Sequence, residues 1–406
     1  MTTYNNVSNG SKREQIYKCD WLCQTGYYAK TKRKGGRGMR EGWEYKKLGE
    51  SCVIEYGTRV VQKKDGGTIY PVYGGGGETF RMDKYNRENC LVVARFAMSR
   101  TCVRYVTGKF FLNDSGLSIN AGKELLQSYL NHHLLHLNDD IYNLGKGAAQ
   151  RNLDVNSFRN LIIPVPPLST QLSIVSELDK INELIRLKKE QLKDYDNLAQ
   201  SIFYEMFGDP VVNEKGWEKK RLGEVCSEIK YGTSKPACDN GKYKYLRMCN
   251  LSYDGYLDLT DIKRIDVSDE EIEKCIVRYG DILFNRTNSH ELIGKTCMFD
   301  QQEPMVIAGY IIRVRLTKEL MPQVFARMFN LASIKKLLRS MAKGAVNQAN
   351  INSKELASIQ IPIPSLDLQQ HFVKRIELIE QQKAEIQSTI ADLETLLASR
   401  MQYWFD

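Results

Sequence analysis

Two stretches of about 40 residues carry apolar residues in steps of three and four positions. Neither stretch contains a glycine or a proline, and most positions between the apolar residues are Lys, Glu, Gln or Asp. Such steps place one apolar stripe along a helix. The pattern therefore predicts helices over 168–206 and 366–405. The stripe residues expected to make coiled-coil contacts are Val175, Leu178, Ile181, Leu192, Leu198, Val373, Ile376, Ile379, Ile390 and Leu393.

The partner of each predicted helix can be inferred from its length. A helix of this size extends over roughly 60 Å, and its stripe must be buried against something. The simplest partner is the other helix, which gives an intramolecular antiparallel coiled coil. Packing of each helix on its own neighbouring domain is the alternative, although the stripe is long for a small domain to cover.

The blocks 42–160 and 216–360 have a mixed pattern. Short β-like runs, such as Leu91–Phe96 and Ile311–Leu316, are separated by glycines and by Asn or Asp. Helical runs follow near 123–137 and 322–342. Each block is expected to be an α/β domain, so the fold class predicted for the whole chain is α+β.

A long internal repeat relates the two blocks. Gly42-Trp43-Glu44 recurs as Gly216-Trp217-Glu218, and the Ile-Pro-x-Pro at 163–166 recurs at 361–364. From there an offset of 198 residues holds without a gap to the C-terminus. Little of the interior matches, which suits a protein that docks twice and reads something different each time. Drift in the loops of an old duplication is the alternative.

These patterns predict a pseudo-twofold chain of five segments. They are a basic N-terminal arm (1–41), a first domain (42–166), a central spacer helix (167–215), a second domain (216–364) and a C-terminal spacer helix (365–406). The arm carries basic residues among glycines and is expected to be disordered, with contact to DNA phosphates as the alternative.

The placement of charge points to a polyanionic partner. The formal net charge is +9. Residues 42–160 carry +4 and residues 216–360 carry +5, whereas 161–215 and 361–406 each carry −3. A nucleic acid would be attracted to the two blocks and not to the helices that follow them. Many proteins that bind no nucleic acid also carry a modest positive charge.

Signatures of catalysis and of metal binding are missing from the sequence. The ten cysteines contain no CxxC pair, Ser289 stands where a P-loop would need glycine, and no apolar run could span a membrane. His132, His133 and His136 are expected to lie on a solvated helix face and not in a metal site. We expect a cytoplasmic protein with reduced thiols and with no cofactor or metal in this chain.

The remaining candidates are side chains that reach base edges or phosphates. Each one alone is more easily explained as a solvated surface residue, but they are clustered in both positive blocks. The first block offers Arg59, Lys63, Lys64, Tyr73, Lys84, Arg95, Lys146 and Gln150. The second block offers Lys230, Thr233, Lys235, Arg247, Asn285, Arg286, Lys343, Asn347 and Gln348.

In order and in duplication, these motifs resemble the specificity subunits of type I restriction-modification systems. The resemblance covers about 42–406 and rests on the paired Gly-Trp-Glu openings, on the Ile-Pro-x-Pro junctions, and on the loops at 70–75 and 280–287. Two departures are the N-terminal lead and the second domain, where Cys238-Asp239-Asn240-Gly241 stands near the place of the first domain's glycine-rich loop.

This resemblance implies a function that the composition alone does not. Two target-recognition domains would read an asymmetric, bipartite target in double-stranded DNA, and the paired helices would act as a spacer. The helices would also dock two methyltransferase subunits, which use S-adenosylmethionine to methylate adenine. A translocating nuclease subunit that uses ATP and Mg²⁺ would give restriction. The chain itself would be non-catalytic. A stand-alone DNA-modifying enzyme and a coiled-coil scaffold that binds proteins are the alternatives.

Overall fold

The structure is a computed structural model that describes residues 40–147, 150–345 and 348–406. The predicted N-terminal arm lies outside the described residues except for its last two. The described chain falls into two compact units. The first unit comprises residues 40–189 and 388–406, and the second comprises 190–387. Both boundaries fall inside the long helices, so each unit holds one globular domain and half of each helix.

The first domain is built mainly of strands. Its elements, followed by the central helix, are β1 (Glu44–Lys47), α1 (Leu48–Ser51), β2 (Cys52–Tyr56), α2 (Gln62–Asp65), β3 (Tyr70–Gly74), β4 (Gly77–Met82), β5 (Arg87–Ala94), β6 (Val103–Leu112), β7 (Gly116–Ala121), α3 (Gln127–His136), α4 (Asn138–Asn143), β8 (Gly145–Lys146), β9 (Asn152–Leu153), α5 (Val155–Arg159), β10 (Ile162–Val165) and α6 (Leu168–Phe207).

The second domain repeats this order with additions. Its elements, followed by the C-terminal helix, are β11 (Lys219–Arg221), β12 (Cys226–Tyr231), β13 (Tyr243–Leu246), β14 (Lys263–Ile265), α7 (Asp269–Cys275), β15 (Ile276–Val277), β16 (Ile282–Asn285), β17 (Thr287–Asn288), β18 (Thr296–Met298), β19 (Met305–Ile307), β20 (Ile311–Leu316), α8 (Pro322–Phe329), α9 (Ala332–Met341), β21 (Lys343–Ala345), β22 (Gln348–Asn350), α10 (Ser353–Ser358), β23 (Gln360–Pro362) and α11 (Leu366–Phe405).

A four-stranded antiparallel core is common to both domains. The first sheet has the order β2-β7-β5-β6-β3-β4, and the second has β12-β20-β16-β18, so the four strands correspond one to one. The short pairs β1–β10 and β11–β23 also correspond. The interiors therefore share more than the sequence predicted, because strand order survives changes in side chains that erase visible similarity.

The additions to this core differ between the domains. In the first domain, β3 joins the edge of the core in parallel to β6 and carries β4 as a hairpin partner. In the second, β13, β14, β15 and β19 form a separate sheet, which shares an apolar core with Leu283, Cys297 and Ile311 of the core sheet and has a second apolar cluster that includes Tyr245 and Val306. The domains thus present unlike structure around a like centre.

The core of the first domain explains why β5 is so apolar. Leu91 and Val93 are buried against helix α3, whereas Cys90 and Val92 are buried on the opposite side of the sheet with Phe110. Because successive residues of a strand face opposite sides, a strand covered on both faces reads as a continuous apolar run.

The two long helices run antiparallel within each unit. In the first unit, Glu177 of α6 forms an ion pair with Arg400 of α11, and Lys189 Nζ lies 2.8 Å from Glu394 Oε1. In the second unit, Asp196 pairs with Lys383. There the ring of Phe372 packs 5.5 Å from Phe203 and 5.0 Å from Phe207, centroid to centroid. The predicted fold class, with its antiparallel coiled coil, is confirmed.

Most of the predicted stripe is buried, with one error. Leu198 is 46% exposed, and Ala199 is the buried residue of that turn. The predicted stripe goes from Tyr195 to Leu198, a step of three residues. Because a helix has 3.6 residues per turn, this step falls short of the contact face, and the next residue lies on it. Val175 and Leu393 are half-buried. The remaining predicted contacts are buried, namely Leu178, Ile181, Leu192, Val373, Ile376, Ile379 and Ile390.

A buried glutamine joins each domain to the helix that follows it. Gln171 Oε1 accepts a hydrogen bond from Leu126 N at 2.8 Å, and its Nε2 donates to the carbonyl oxygens of Glu124 and Pro166, both at 2.8 Å. Gln369 makes the same three bonds in the second unit, with Met321, Glu319 and Pro364. The same joint is therefore built twice.

Candidate nucleic-acid interface

An exposed tyrosine and an arginine meet at the same corner of both domains. Tyr56 ends β2 and Tyr231 ends β12, and both belong to a repeated Tyr-Gly-Thr motif. Arg95 directly follows β5 and Arg286 directly follows β16, which are equivalent strands. The guanidinium carbon lies 4.9 Å from the Tyr56 ring centre in the first domain and 4.7 Å from the Tyr231 ring centre in the second. We call each of these a Tyr–Arg pair.

A lysine-bearing hairpin is attached to each Tyr–Arg pair through the backbone. In the first domain the strands β8 and β9 flank this turn, and Leu153 N donates to the carbonyl oxygen of Arg95 at 2.8 Å. In the second, β21 and β22 flank it, and Ile351 N donates to the carbonyl oxygen of Arg286 at 2.9 Å. Lys146 in β8 and Lys343 in β21 therefore lie on a strand whose partner strand contains or adjoins the residue bonded to the arginine.

The hairpin lysines are highly exposed but paired. Lys146 Nζ lies 2.5 Å from Asp154, which caps the start of α5, and Lys343 Nζ lies 2.6 Å from Glu355 at the start of α10. The hydrogen bond from Lys146 lowers the pKa of Asp154 to about 2, and that from Lys343 lowers the pKa of Glu355. Ion pairs as exposed as these are weak.

The first domain adds a glycine-rich hairpin beside its Tyr–Arg pair. The turn between β3 and β4 contains Gly75, whose N–H donates to Ser115 Oγ at 2.9 Å. A Cβ at Gly75 would lie 2.2 Å from the carbonyl oxygen of Phe96, the residue after Arg95. Close approach of two backbones thus requires glycine here. The described part of the second domain has no such hairpin at that edge of its core.

The other predicted residues of the first domain lie on its surface. Tyr73 is half-buried, with its ring edge against Phe110 at 5.5 Å between centroids. The exposed predicted residues are Arg59, Lys63, Lys64, Lys84 and Gln150.

Two of the residues predicted to contact DNA are buried in the second domain. Thr233 is 4% exposed and donates a 2.5 Å hydrogen bond to Glu271 Oε1. Asn285 is fully buried at the end of β16, where its Oδ1 accepts from Thr287 N at 3.2 Å. Neither side chain is exposed to a ligand at the surface. The sequence could not show this burial, because residue type alone does not indicate which face of a strand is covered.

Three predicted cations of the second domain are paired with carboxylates of the same domain. Lys230 pairs with Glu228, Lys235 Nζ lies 2.6 Å from Glu271, and Arg247 Nη2 lies 2.8 Å from Asp261. Asn347 lies outside the described residues, and of Gln348 only the backbone is described, in β22.

Sequence reasoning named both arginines of the Tyr–Arg pairs but neither tyrosine. Tyr56 is 47% exposed and Tyr231 is 36% exposed. The repeated Tyr-Gly-Thr motif could have indicated the tyrosines, because an aromatic residue that is exposed in both copies of a repeat suggests a binding role.

The histidines do not form the solvated face that was expected. His133 is 2% exposed and stacks on Phe405 of α11, with 4.8 Å between ring centroids. Burial lowers the pKa of His133 to about 3. His132 Nε2 lies 2.8 Å from Asp179 and His136 Nε2 lies 2.8 Å from Asp406. This face of α3 joins the first domain to the helices.

The described ranges contain neither a metal-binding cluster nor a membrane-spanning helix. Within 40–147, 150–345 and 348–406, no group of three His, Cys, Asp or Glu residues is arranged to hold a metal ion. No helix in the same ranges has the length and apolar character needed to cross a bilayer. The eight cysteines described there are free thiols, and burial raises the pKa of several of them, among them Cys90 to about 11.

The chain is similar to known proteins over most of its length. The family model described as the type I restriction modification DNA specificity domain matches residues 40–194 and 214–394. The specificity subunit of the type I restriction enzyme EcoKI from Escherichia coli is 26% identical over 254 residues, which are 58% of this chain and 54% of that protein. A putative specificity subunit from Haemophilus influenzae is 24% identical over 358 residues, which are 83% of this chain and 87% of that protein.

A third relative and two solved structures are also similar to this chain. The putative MjaX specificity subunit of Methanocaldococcus jannaschii is 30% identical over 162 residues, which are 39% of this chain and 38% of that protein. The matches therefore span only 54% of the EcoKI protein and 38% of the MjaX protein. The S subunit of a type I restriction-modification system from M. genitalium has a TM-score of 0.52 at 17% identity and is covered to 98%, against 92% of this chain. A chain from a study of type I R-M complex assembly has a TM-score of 0.53 at 21% identity, with 89% and 97% covered. These two structures support the fold.

Proposed function

Because this chain belongs to the type I restriction modification DNA specificity family, we propose that it is the DNA-reading subunit of a restriction-modification complex. It recognises an asymmetric target in double-stranded DNA that has two separated halves. It performs no catalytic step and holds no cofactor of its own. It works in the cytoplasm, where it finds its DNA.

One observation carries this proposal: the same Tyr–Arg corner occurs twice on equivalent strands, with unlike structure around it. In the first domain the corner is bordered by the β3–β4 hairpin, and the second domain has instead a separate sheet built from β13, β14, β15 and β19. Two equivalent surfaces support two contacts with one duplex. Unlike surroundings support different bases in the two half-sites, because bases are read by side chains that reach groove edges.

The partners follow from the family and from the repeated helix surface. We expect two methyltransferase subunits, which supply S-adenosylmethionine and methylate adenine, and, in restriction, a subunit that uses ATP and Mg²⁺. Leucines 198 residues apart are exposed to similar degrees on the two helices: Leu168 by 48% and Leu366 by 44%, Leu198 by 46% and Leu396 by 46%. Exposed apolar residues that recur in this way suit two copies of one partner.

The experiment that tests the proposal is a domain exchange followed by mapping of methylated adenine. The host carries this chain and its methyltransferase, and single-molecule sequencing reads the methylated motif. Replacing residues 42–160 by the same block of a relative should change one half of the motif. Replacing residues 216–360 should change the other half. A motif that changes in both halves after one exchange, or in neither half after both, would contradict the proposal.

A further inference from the structure

We propose that the two Tyr–Arg pairs each hold a DNA phosphate and do not read bases. Tyr56 with Arg95 would fix the first domain on the duplex backbone, and Tyr231 with Arg286 would fix the second domain in the same way. The inference rests on the proposed function and adds the part that each surface plays in it.

The geometry of the pairs leaves N–H groups available for a phosphate. The guanidinium carbon of Arg95 lies over the Tyr56 ring and also over the Phe96 ring, whose centre is 4.3 Å away. Its Nη1 is 3.4 Å from the carbonyl oxygen of Asp114, at the limit of a hydrogen bond. Arg286 uses its Nε to donate to Asn350 Oδ1 at 3.1 Å. A guanidinium has five N–H donors, and stacking on a ring fixes its plane while the edge stays free to bind a phosphate.

The backbone of each arginine is held on both sides. Arg95 N donates to the carbonyl oxygen of Ser115 at 2.8 Å, and Arg286 N donates to that of Tyr310 at 3.0 Å. Their carbonyl oxygens accept from the hairpin residues described above. Both arginines therefore sit on a fixed base at the end of a central strand, so little conformational freedom is lost when a ligand binds.

No carboxylate of the described residues neutralises the charge of these arginines. Among the described residues, neither Arg95 nor Arg286 has a carboxylate oxygen within 4.0 Å. The lysines of the neighbouring hairpins differ in this respect, because Lys146 pairs with Asp154 and Lys343 with Glu355. A stacked cation that lacks an internal counter-ion at a half-exposed corner is suited to an external anion.

The repeat itself indicates which anion this is. In the proposed function, the two half-sites differ in sequence. Residues that occur at the same place in both domains cannot account for reading different bases. The phosphate backbone is the part of every duplex that is the same. Contacts to phosphates fix the register of a protein on DNA, whereas base contacts supply specificity. Base reading is left to the structure that differs between the domains.

The test measures binding of the full-length protein to two fluorescent duplexes at several salt concentrations. One duplex carries the mapped target and the other carries the same bases in scrambled order. Arg95→Gln and Arg286→Gln should each weaken binding to both duplexes by the same factor, about tenfold for loss of one charged contact. Each should also make the dependence of log K on log salt shallower by about 0.9, the contribution of one phosphate.

Two further variants and a control separate the pair from a general effect of charge. Tyr56→Leu removes the ring and keeps the charge, so it should weaken binding to both duplexes by roughly threefold and leave the salt slope unchanged. Arg186→Gln removes a charge from an exposed position of α6 that is paired with Glu183. It should leave both affinities within twofold of the unmodified protein. Equal thermal unfolding midpoints would show that the variants fold.

The possible outcomes are distinct. A loss confined to the target duplex would mean that the arginine reads a base and would overturn the inference. Binding by Arg95→Gln that matches binding by Arg186→Gln would overturn it as well, since the arginine would then contact no phosphate. If the unmodified protein shows no salt-dependent binding to either duplex, the proposed function itself fails, and this result is independent of the variants.

Discussion

Replacing the buried glutamine at the second joint should loosen one unit and leave the other unchanged. Gln369 is fully buried, and it satisfies three main-chain groups, the N–H of Met321 and the carbonyls of Glu319 and Pro364. Gln369→Leu keeps the volume but leaves all three without a partner. An unsatisfied buried group costs about 1 kcal/mol or more, so the variant should lose about 3 kcal/mol. This loss corresponds to a rise of about 100-fold in local opening.

Hydrogen exchange followed by mass spectrometry measures this opening segment by segment. Peptides that cover β20, α8 and the start of α11 should exchange faster by about that factor, and peptides of the first domain should not change. Gln370→Leu, at the exposed neighbouring position, is the matched control and should have no effect. Gln171→Leu should give the mirror result in the first unit. Unchanged exchange in Gln369→Leu, or equal loosening of both units, would refute the reasoning.

Three other predictions concern buried charged or titratable groups. Burial lowers the pKa of His133 to about 3. Between that pH and the ordinary pKa of histidine, this side chain binds a proton only in the unfolded chain. The first unit should therefore lose about 2 kcal/mol between pH 7 and 5, and His133→Phe should flatten this dependence in urea titrations. Burial also lowers the pKa of Lys335 to about 7, so the second unit should become more stable as pH rises from 7 to 9, and Lys335→Met should abolish that rise. Lys383→Met should destabilise the second unit by about 1–2 kcal/mol, because it removes the hydrogen bonds of the buried lysine to Asp196 and to the Tyr256 hydroxyl; the double variant with Asp196→Asn should lose less than the sum of the two single losses, and an additive loss would contradict the pairing.

The helices could be predicted from the sequence because their evidence is local. Apolar spacing placed them at 168–206 and 366–405, and the structure has them at Leu168–Phe207 and Leu366–Phe405. Lys383 shows where this reasoning stops. A lysine in the stripe reads as a solvated residue, yet it is 3% exposed because Asp196 and the hydroxyl of Tyr256 satisfy its charge. Partners so far away in sequence are not visible in a periodicity.

The candidate interface was predictable only as a set of residue types. The charge of Arg95 is enough to predict a contact with DNA from the sequence. Its contact with Tyr56, 39 positions away, depends on the strand order β2-β7-β5, which the sequence does not show. The same pattern gave no means of separating Arg286, which is half-exposed, from Asn285, which is buried one residue earlier. The division into five segments stays a prediction.

Because the same joint is built twice, a domain from one place should be able to fold at the other place. A first domain grafted after the central helix would meet the same glutamine, the same main-chain partners and the same strand pair that it has at its own place. The grafted copy would then be joined to the helices by the same contacts as the original. Under the proposed function, such a chain would carry the same reading surface twice, and both halves of its target would then be the same sequence.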